Sequence, residues 1–301
     1  MPNPEALVTP TLSSVTAVLY SQLMGVMGLK RPNWITRSLY PLLRSPTRRM
    51  AAYLVEADRN TALHGWNSAV KTFTAHLVSD VRITGQEFIP QNAPLMVIAN
   101  HPAAYDVAIL TASIPRDELK IIASDIAIVR MLPHIRQHSI PVPYHIPSRL
   151  QTVRSAIQHL KGGGSILIFP RGNVEPDPAV SPGAEQSMEG WSESVELFLR
   201  HVPQTTTVIA IASGMLSAAW FRNPLMKLWK KYEQRQKVAE IFQIASQLFT
   251  GKAPAVTPAV LFSPPLQVEE LGGTGAPQGA ILSALISHAR HLLANHTACS
   301  G

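Results

Sequence analysis

The sequence predicts an α/β fold: a mixed, mainly parallel sheet covered by helices and preceded by an N-terminal helical region. Three observations predict it. From Val81 onward short apolar runs alternate with helical stretches, the signature of a βα sheet. Three of those runs, Leu95-Met-Val-Ile-Ala99, Ser165-Ile-Leu-Ile-Phe169 and Thr207-Val-Ile-Ala-Ile-Ala212, are almost continuously apolar, as strands covered on both faces are. Residues 1–80 instead carry apolar residues at mixed helical spacing.

The elements follow in order. An uncharged run from Ala6 to Leu29 is long enough to span a bilayer but holds Thr9, Pro10, Thr11, Ser13, Ser14, Thr16, Ser21 and Gln22, so an interfacial or buried helix is the better reading. Helices are expected over Trp34 to Leu43 and Pro46 to Val78, flanked by Lys30, Arg31, Arg37, Arg44, Arg48 and Arg49. A boundary near Ser79 to Arg82 separates this helical region, 1–80, a possible membrane-docking element, from an α/β domain over 81–301. Strands are expected at Val81–Thr84, Leu95–Ala99, Lys120–Ala123, Ser139–Val142, Ser165–Phe169, Thr207–Ala212 and Ala259–Phe262. Helices are expected at Val107–Ser113, Asp125–Gln137, Ser148–Leu160, Trp191–His201, Asn223–Leu248 and Gln278–Ala294. Val174 to Gly190, rich in proline and acids, reads as a long loop of the kind reserved for functional covers. Gly162 to Gly164 lacks the Gly-Lys-Ser/Thr of a phosphate loop and terminates a helix.

Composition narrows the function classes. With 46% hydrophobic and 15% charged residues over 301 positions, the chain buries a sizeable core and is not disordered. One cysteine, Cys299, excludes an intrachain disulfide and a multi-cysteine metal site. Met1 to Glu5 shows no basic segment ahead of the apolar run, so an intracellular protein is expected. The net charge of +7 points to anionic lipid, phosphorylated substrates or nucleic acid. No nucleic-acid recognition motif accompanies the basic residues, so nucleic acid is not an expected partner. Asn223 to Leu248 combines Lys227, Lys230, Lys231, Arg235 and Lys237 with Leu225, Leu228 and Trp229, which suits an anionic membrane surface, the alternative being a packed helix with a solvated basic face. His134 and His138 have metal-pair spacing without an intervening glutamate, and no metal is expected. Ser213 lacks a nucleophile elbow.

The chemistry concentrates in Leu95-Met-Val-Ile-Ala-Asn-His-Pro-Ala-Ala-Tyr-Asp106, where a strand ends at Asn100-His101 and a helix begins near Asp106. A carboxylate at a helix start is favoured by the dipole, and it can accept the Nδ1 proton of an imidazole whose other nitrogen faces the carboxyl edge of the sheet. Such a histidine is a competent general base near neutral pH. The plainer alternative is that His101 caps a strand and Asp106 a helix. A second strand ends in Ile168-Phe-Pro-Arg-Gly-Asn173, whose turn can face the same edge.

Together these blocks, with Ile83-Thr-Gly-Gln-Glu-Phe-Ile-Pro90 before them and Val260-Leu-Phe-Ser-Pro-Pro265 after, resemble the lysophospholipid and glycerol-phosphate acyltransferase superfamily, of the 1-acylglycerol-3-phosphate acyltransferase type, over Val81 to about Phe262. The resemblance implies a catalytic dyad of His101 and Asp106. The reaction implied is direct attack by an acceptor hydroxyl on an acyl thioester carried by coenzyme A or acyl carrier protein, with no cofactor beyond that co-substrate. The acceptor implied is a lysophospholipid, glycerol phosphate or related lipid, and the location the cytoplasmic side of a membrane, peripheral or monotopic, on an anionic surface.

The departures from the family pattern fall in the acceptor site. Of the block Phe-Pro-Glu-Gly-Thr-Arg only Phe169, Pro170 and Gly172 are kept, while Arg171, Asn173 and Val174 replace the rest. Where relatives carry an acceptor-binding arginine the chain has Ser139 to Tyr144, with Tyr144, Arg130 and Arg149 as substitutes. Thr206-Thr-Val-Ile-Ala-Ile has no proline of the usual fourth block. Arg171 either rebuilds a phosphate site, serves a different acceptor such as a glycolipid, an amino-acid lipid or another lipid alcohol, or pairs with Glu175 or Asp177 in the cover loop. Two other readings remain open at this stage: a catalytically altered lipid-binding member, and a thioester or ester hydrolase using the same dyad.

Overall fold

The computed structural model describes residues 10–29, 34–145, 149–252 and 256–300. A seven-stranded sheet runs through it, made of β1 (Arg82–Thr84), β2 (Leu95–Ala99), β3 (Lys120–Ser124), β4 (Ser139–Val142), β5 (Ser165–Ile168), β6 (Thr206–Ser213) and β7 (Ala259–Phe262) in the order β1-β7-β6-β2-β5-β3-β4. Every neighbouring pair is parallel except β6 and β7. The fold class is therefore the mixed, mainly parallel α/β arrangement expected from the apolar runs.

The helices are α1 (Leu12–Val26), α2 (Trp34–His64), α3 (Trp66–Leu77), α4 (Asp106–Ser113), α5 (Ala127–Arg130), α6 (Pro133–Gln137), α7 (Arg149–Lys161), α8 (Ala184–Ser187), α9 (Ser194–His201), α10 (Ala218–Phe221), α11 (Tyr232–Thr250) and α12 (Ala280–Ser300). They cover both faces because successive strand side chains point to opposite sides. On β2, Met96 and Ile98 join one core with Leu160 of α7, Phe198 of α9 and Leu285 of α12. Leu95, Val97 and Ala99 join the other with Val70 of α3 and Ile109 and Leu110 of α4. All five β2 residues are fully buried, which is why that strand shows no polar alternation.

Helix α1 lies against this body: Val15 packs with Ala51 of α2 and with Ile128 and Leu132 beside α5. Among the described residues no helix is long and apolar enough to cross a membrane.

Three helix expectations are corrected. The segment 125–137 is two helices, because Pro133 disfavours helical backbone at Leu132 and opens α6 at its first position. Conversely Pro41 and Pro46 do not divide α2, which continues to His64 and breaks only at Gly65, where φ is +84°; packing against α1 and α11 outweighs the missing backbone donors. The basic segment 223–248 is also interrupted: Pro224–Leu228 is a 3-10 turn and α11 starts at Tyr232, so Leu225 and Leu228 do not share a helix face with Val238 and Phe242. Lys30, Arg31 and Ser148 lie outside the described residues.

Candidate active site

Parallel strands deliver their C-terminal ends to one edge, and three of those ends build the site. Asn100, at the end of β2, is 2% exposed and bridges to β6: its Oδ1 accepts from Ala212 N at 2.7 Å and its Nδ2 donates to Ala212 O at 2.9 Å. The next residue, His101, is thereby fixed on the central strand of the edge.

His101 Nδ1 lies 2.9 and 3.0 Å from the two carboxylate oxygens of Asp106, the first residue of α4. An ionised carboxylate only accepts, so Nδ1 carries the proton and the lone pair of the neutral ring sits on Nε2. Asp106 is fully buried and takes a further bond from Ala103 N at 3.0 Å, whereas 19% of the His101 side chain is exposed. The exposed part of the ring is thus available to a reactant while its orienting partner is sealed from water. Phe169, at the end of β5, lies against the ring with centroids 4.5 Å apart.

Burial pushes the His101 pKa down, but the Asp106 charge and hydrogen bond, followed by the charges of Glu240 and Glu175, outweigh it and leave the pKa above the usual imidazole value. Glu240 itself, buried on α11, is pushed up to about 7 by burial first, with the amide of Ala104 pulling it down and the charge of Asp106 adding to the rise.

The stretch from Val174 to Gly190 packs on the edge as a loop only up to Gly183, since Ala184–Ser187 is α8 and Met188–Gly190 a 3-10 turn, and two of its acids, Glu175 and Asp177, face inward. Glu175 N donates to His101 O at 2.7 Å while His101 N donates to Glu175 Oε2 at 3.0 Å, a reciprocal pair that pins the histidine backbone. Ser187 Oγ and Trp191 Nε1 bond the other oxygen at 2.9 and 3.1 Å. Asp177 accepts from Gly214 N and Leu216 N, both at 2.9 Å, closing the loop onto the end of β6. Burial raises both carboxyl pKa values; hydrogen bonds from Trp191 and Ser187 to Glu175, and backbone amides at Asp177, hold them down only in part.

The expected pairing of Arg171 with Glu175 or Asp177 is therefore corrected: both carboxylates are saturated by donors in the interior, and Arg171 is exposed beside Gly190. Pro170 is buried, with its carbonyl accepting from Ser192 N at 3.0 Å. Gly172 takes φ +65° and closes the turn with its N–H on Phe169 O at 3.0 Å, a conformation that side-chain-bearing residues adopt at a cost. Asn173 Oδ1 accepts from Lys237 Nζ at 2.8 Å.

The remaining candidates sit farther along the same edge. Arg130 follows β3 and is held by Asp125 at 2.8 Å. Tyr144 follows β4 and is 71% exposed, and Arg149 opens α7 with its Nε 3.5 Å from Pro143 O. Three strand spacings separate β4 from β2, about 14 Å at the usual distance between strands. The structure thus groups His101, Asp106 and Phe169 and leaves Arg130, Tyr144 and Arg149 at the margin. Glu175, Asp177, Lys237 and Glu240 are additions that sequence reasoning did not place at the site. His138 is engaged elsewhere, stacked on Trp66 at 4.6 Å with Nδ1 3.3 Å from Leu119 O.

Residues 80–214 match the family model described as Acyltransferase. One solved structure similar to this chain is the 1-acyl-sn-glycerophosphate (LPA) acyltransferase PlsC of Thermotoga maritima, at 13% identity and a TM-score of 0.42, covering 95% of this chain and 90% of that one. No curated protein matches the sequence.

A proton can be taken up only by the neutral ring, so kcat/KM for any reaction that uses His101 as base is expected to fall as the pH drops through a value above about 6.5. In Asp106→Asn the acidic limb moves to lower pH, because burial then acts on the ring with its main opponent removed, and kcat drops about 10³-fold. A pH–rate profile of the two proteins checks both, and an unmoved limb contradicts the pairing.

Proposed function

Because residues 80–214 match the family model described as Acyltransferase, we propose that the chain transfers a fatty acyl group from an acyl thioester to a hydroxyl of a lipid acceptor, with His101 as the base. The observation that carries this reading is the buried Asp106 carboxylate on Nδ1 of a partly exposed imidazole at the carboxyl edge of the sheet.

The thioester is that of acyl-CoA or acyl carrier protein. The acceptor hydroxyl lies on the exposed nitrogen of His101, which takes its proton as the oxygen attacks the thioester carbonyl. The C–O bond forms and the C–S bond breaks, and the proton leaves the imidazolium for the departing thiolate. Asp106 holds the ring in the useful tautomer and stabilises the imidazolium, the division of roles known from serine hydrolases but with the substrate as nucleophile. The reaction as written needs no metal and no bound cofactor.

For the acceptor, the reading favours a lysophospholipid, glycerol phosphate or another lipid with an anionic headgroup. Arg171 is an exposed cation in the turn after β5 with no ion pair among the described residues, and Lys237 reaches Asn173 in the same turn. Phe169, Pro170, Gly172 and Asn173 shape this side of the acceptor pocket, and Arg130, Tyr144 and Arg149 extend it along the edge for a larger headgroup.

Membrane docking on the cytoplasmic side completes the proposal. Trp34 and Leu42 of α2 are 76% and 58% exposed, and Leu225 and Leu228 are 60% and 74% exposed. Exposed Arg37, Arg44, Lys227, Lys230 and Lys231 surround them. The second patch lies against the C-terminal end of α1, since Trp229 Nε1 donates to Met27 O at 3.3 Å and Gln234 Nε2 to Val26 O at 3.1 Å. Apolar side chains ringed by cations suit the headgroup layer of an anionic bilayer.

Two experiments test this function. Thiol release from acyl-CoA and from acyl carrier protein is expected to depend on added lysophospholipid or glycerol phosphate and to vanish in His101→Ala; release independent of every acceptor identifies a hydrolase instead. In sedimentation with phosphatidylglycerol liposomes, the protein is expected to pellet at low salt and to be released as salt rises, with Leu228→Asp weakening the association at least tenfold. Protein left in the supernatant at low salt contradicts docking.

A further inference from the structure

Helix α11 lies beyond the matched segment, yet one of its faces is turned to the loops that carry the site. Gln236, Glu240 and Gln243 are 0%, 4% and 3% exposed. Together with Gln247 they follow the spacing of a single helix face, the position where a packed helix ordinarily presents leucine or valine.

Each of these side chains closes a specific backbone group. Gln236 Nε2 donates to the carbonyls of Pro102 and Glu175, the latter at 2.6 Å. One turn on, Glu240 Oε1 and Oε2 accept from Ala104 N at 2.9 and 3.0 Å, and Oε1 also from Tyr105 N at 3.2 Å. Gln243 accepts from Ser217 N at 2.7 Å and donates to Met215 O at 3.0 Å, the carbonyl that also receives the Tyr105 hydroxyl. Gln247 reaches Leu77 O at 2.8 Å.

Stability does not explain this arrangement. A buried carboxylate without a cation is costly, and well-packed apolar residues in its place are often neutral or stabilising. What the carboxylate and amide supply is direction: two consecutive amides and a carbonyl of one turn are gripped from the same side, as in a capped helix start.

We propose that Glu240 and Gln236 are positioning residues for the His101–Asp106 dyad, fixing the turn 102–105 that joins the two and thereby the distance from Nδ1 to the carboxylate. The proposal rests on the reading of His101 as the base of acyl transfer. A loosened turn leaves both substrates' pockets in place and displaces the ring, and a displacement of about 1 Å can cost about a hundredfold in rate.

The variants are Glu240→Gln, in which one acceptor oxygen becomes a donor facing an amide, and Gln236→Met, which removes both donors at nearly constant volume. The full-length protein is assayed for kcat, for KM toward acyl-CoA and lysophospholipid, and for Tm, with His101→Ala run in parallel. The expected result is a kcat lowered ten- to a hundredfold in each variant, both KM values within twofold of wild type, and a Tm well above the assay temperature. A kcat within twofold of wild type in either folded variant, a rise in KM at constant kcat, or a loss of kcat that only follows the loss of folded protein overturns the proposal. Activity retained in His101→Ala overturns the base assignment, a separate failure.

Discussion

One carboxylate, that of Asp106, sets the terms for the rest of the structure. It is fully buried at the start of α4, bonded to His101 Nδ1 and to Ala103 N. An anion there requires a helix start beneath it, an imidazole in a defined tautomer above it and an exit for the ring's other nitrogen. The central strand β2 meets all three demands by ending at Asn100, whose amide locks onto Ala212 of β6 and leaves the next residue pointing along the carboxyl edge.

Further carboxylates surround this one, and each is held by backbone amides or neutral donors in place of cations. Glu175 clasps the backbone of His101, Asp177 ties the cover loop to the end of β6, and Glu240 receives the amides of Ala104 and Tyr105. Against the desolvation that lowers the His101 pKa, the charges of Asp106, Glu240 and Glu175 favour the protonated ring. Burial above all, with the charge of Asp106 adding to it, pushes the Glu240 carboxyl to about 7. Exposed Arg171 and half-buried Lys237 lie at the turn that follows β5, Lys237 bonding Asn173, and neither is paired with these interior acids among the described residues.

The sheet was legible from local chemistry. Every expected strand is present within a residue at each end; β2, β5 and β6, buried at every residue, leave an almost unbroken apolar record, while β1, β3 and β4, exposed or partly buried, show as shorter apolar stretches. The His101–Asp106 spacing was equally local, with the helix start supplying the geometry. What the sequence hid was non-local. Glu240 meets Ala104 across 136 positions and Glu175 meets His101 across 74, and neither contact leaves a pattern near the residues it joins. The polar face of α11 read as part of a longer basic amphipathic helix because nothing before Tyr232 announces that Pro224–Leu228 forms a separate turn. Pro41 and Pro46 misled in the opposite sense, since local rules break a helix that tertiary packing carries through.

The tautomer of His101 is the most direct point of attack on the proposed chemistry. Nitrogen NMR of protein labelled with ¹⁵N-histidine, recorded above the ring's pKa, is expected to show the proton on Nδ1 and an unprotonated Nε2 in wild type, with that preference lost in Asp106→Asn. A wild-type ring protonated on Nε2 would mean that the nitrogen facing the acceptor has no lone pair to offer, and His101 could not serve as the base.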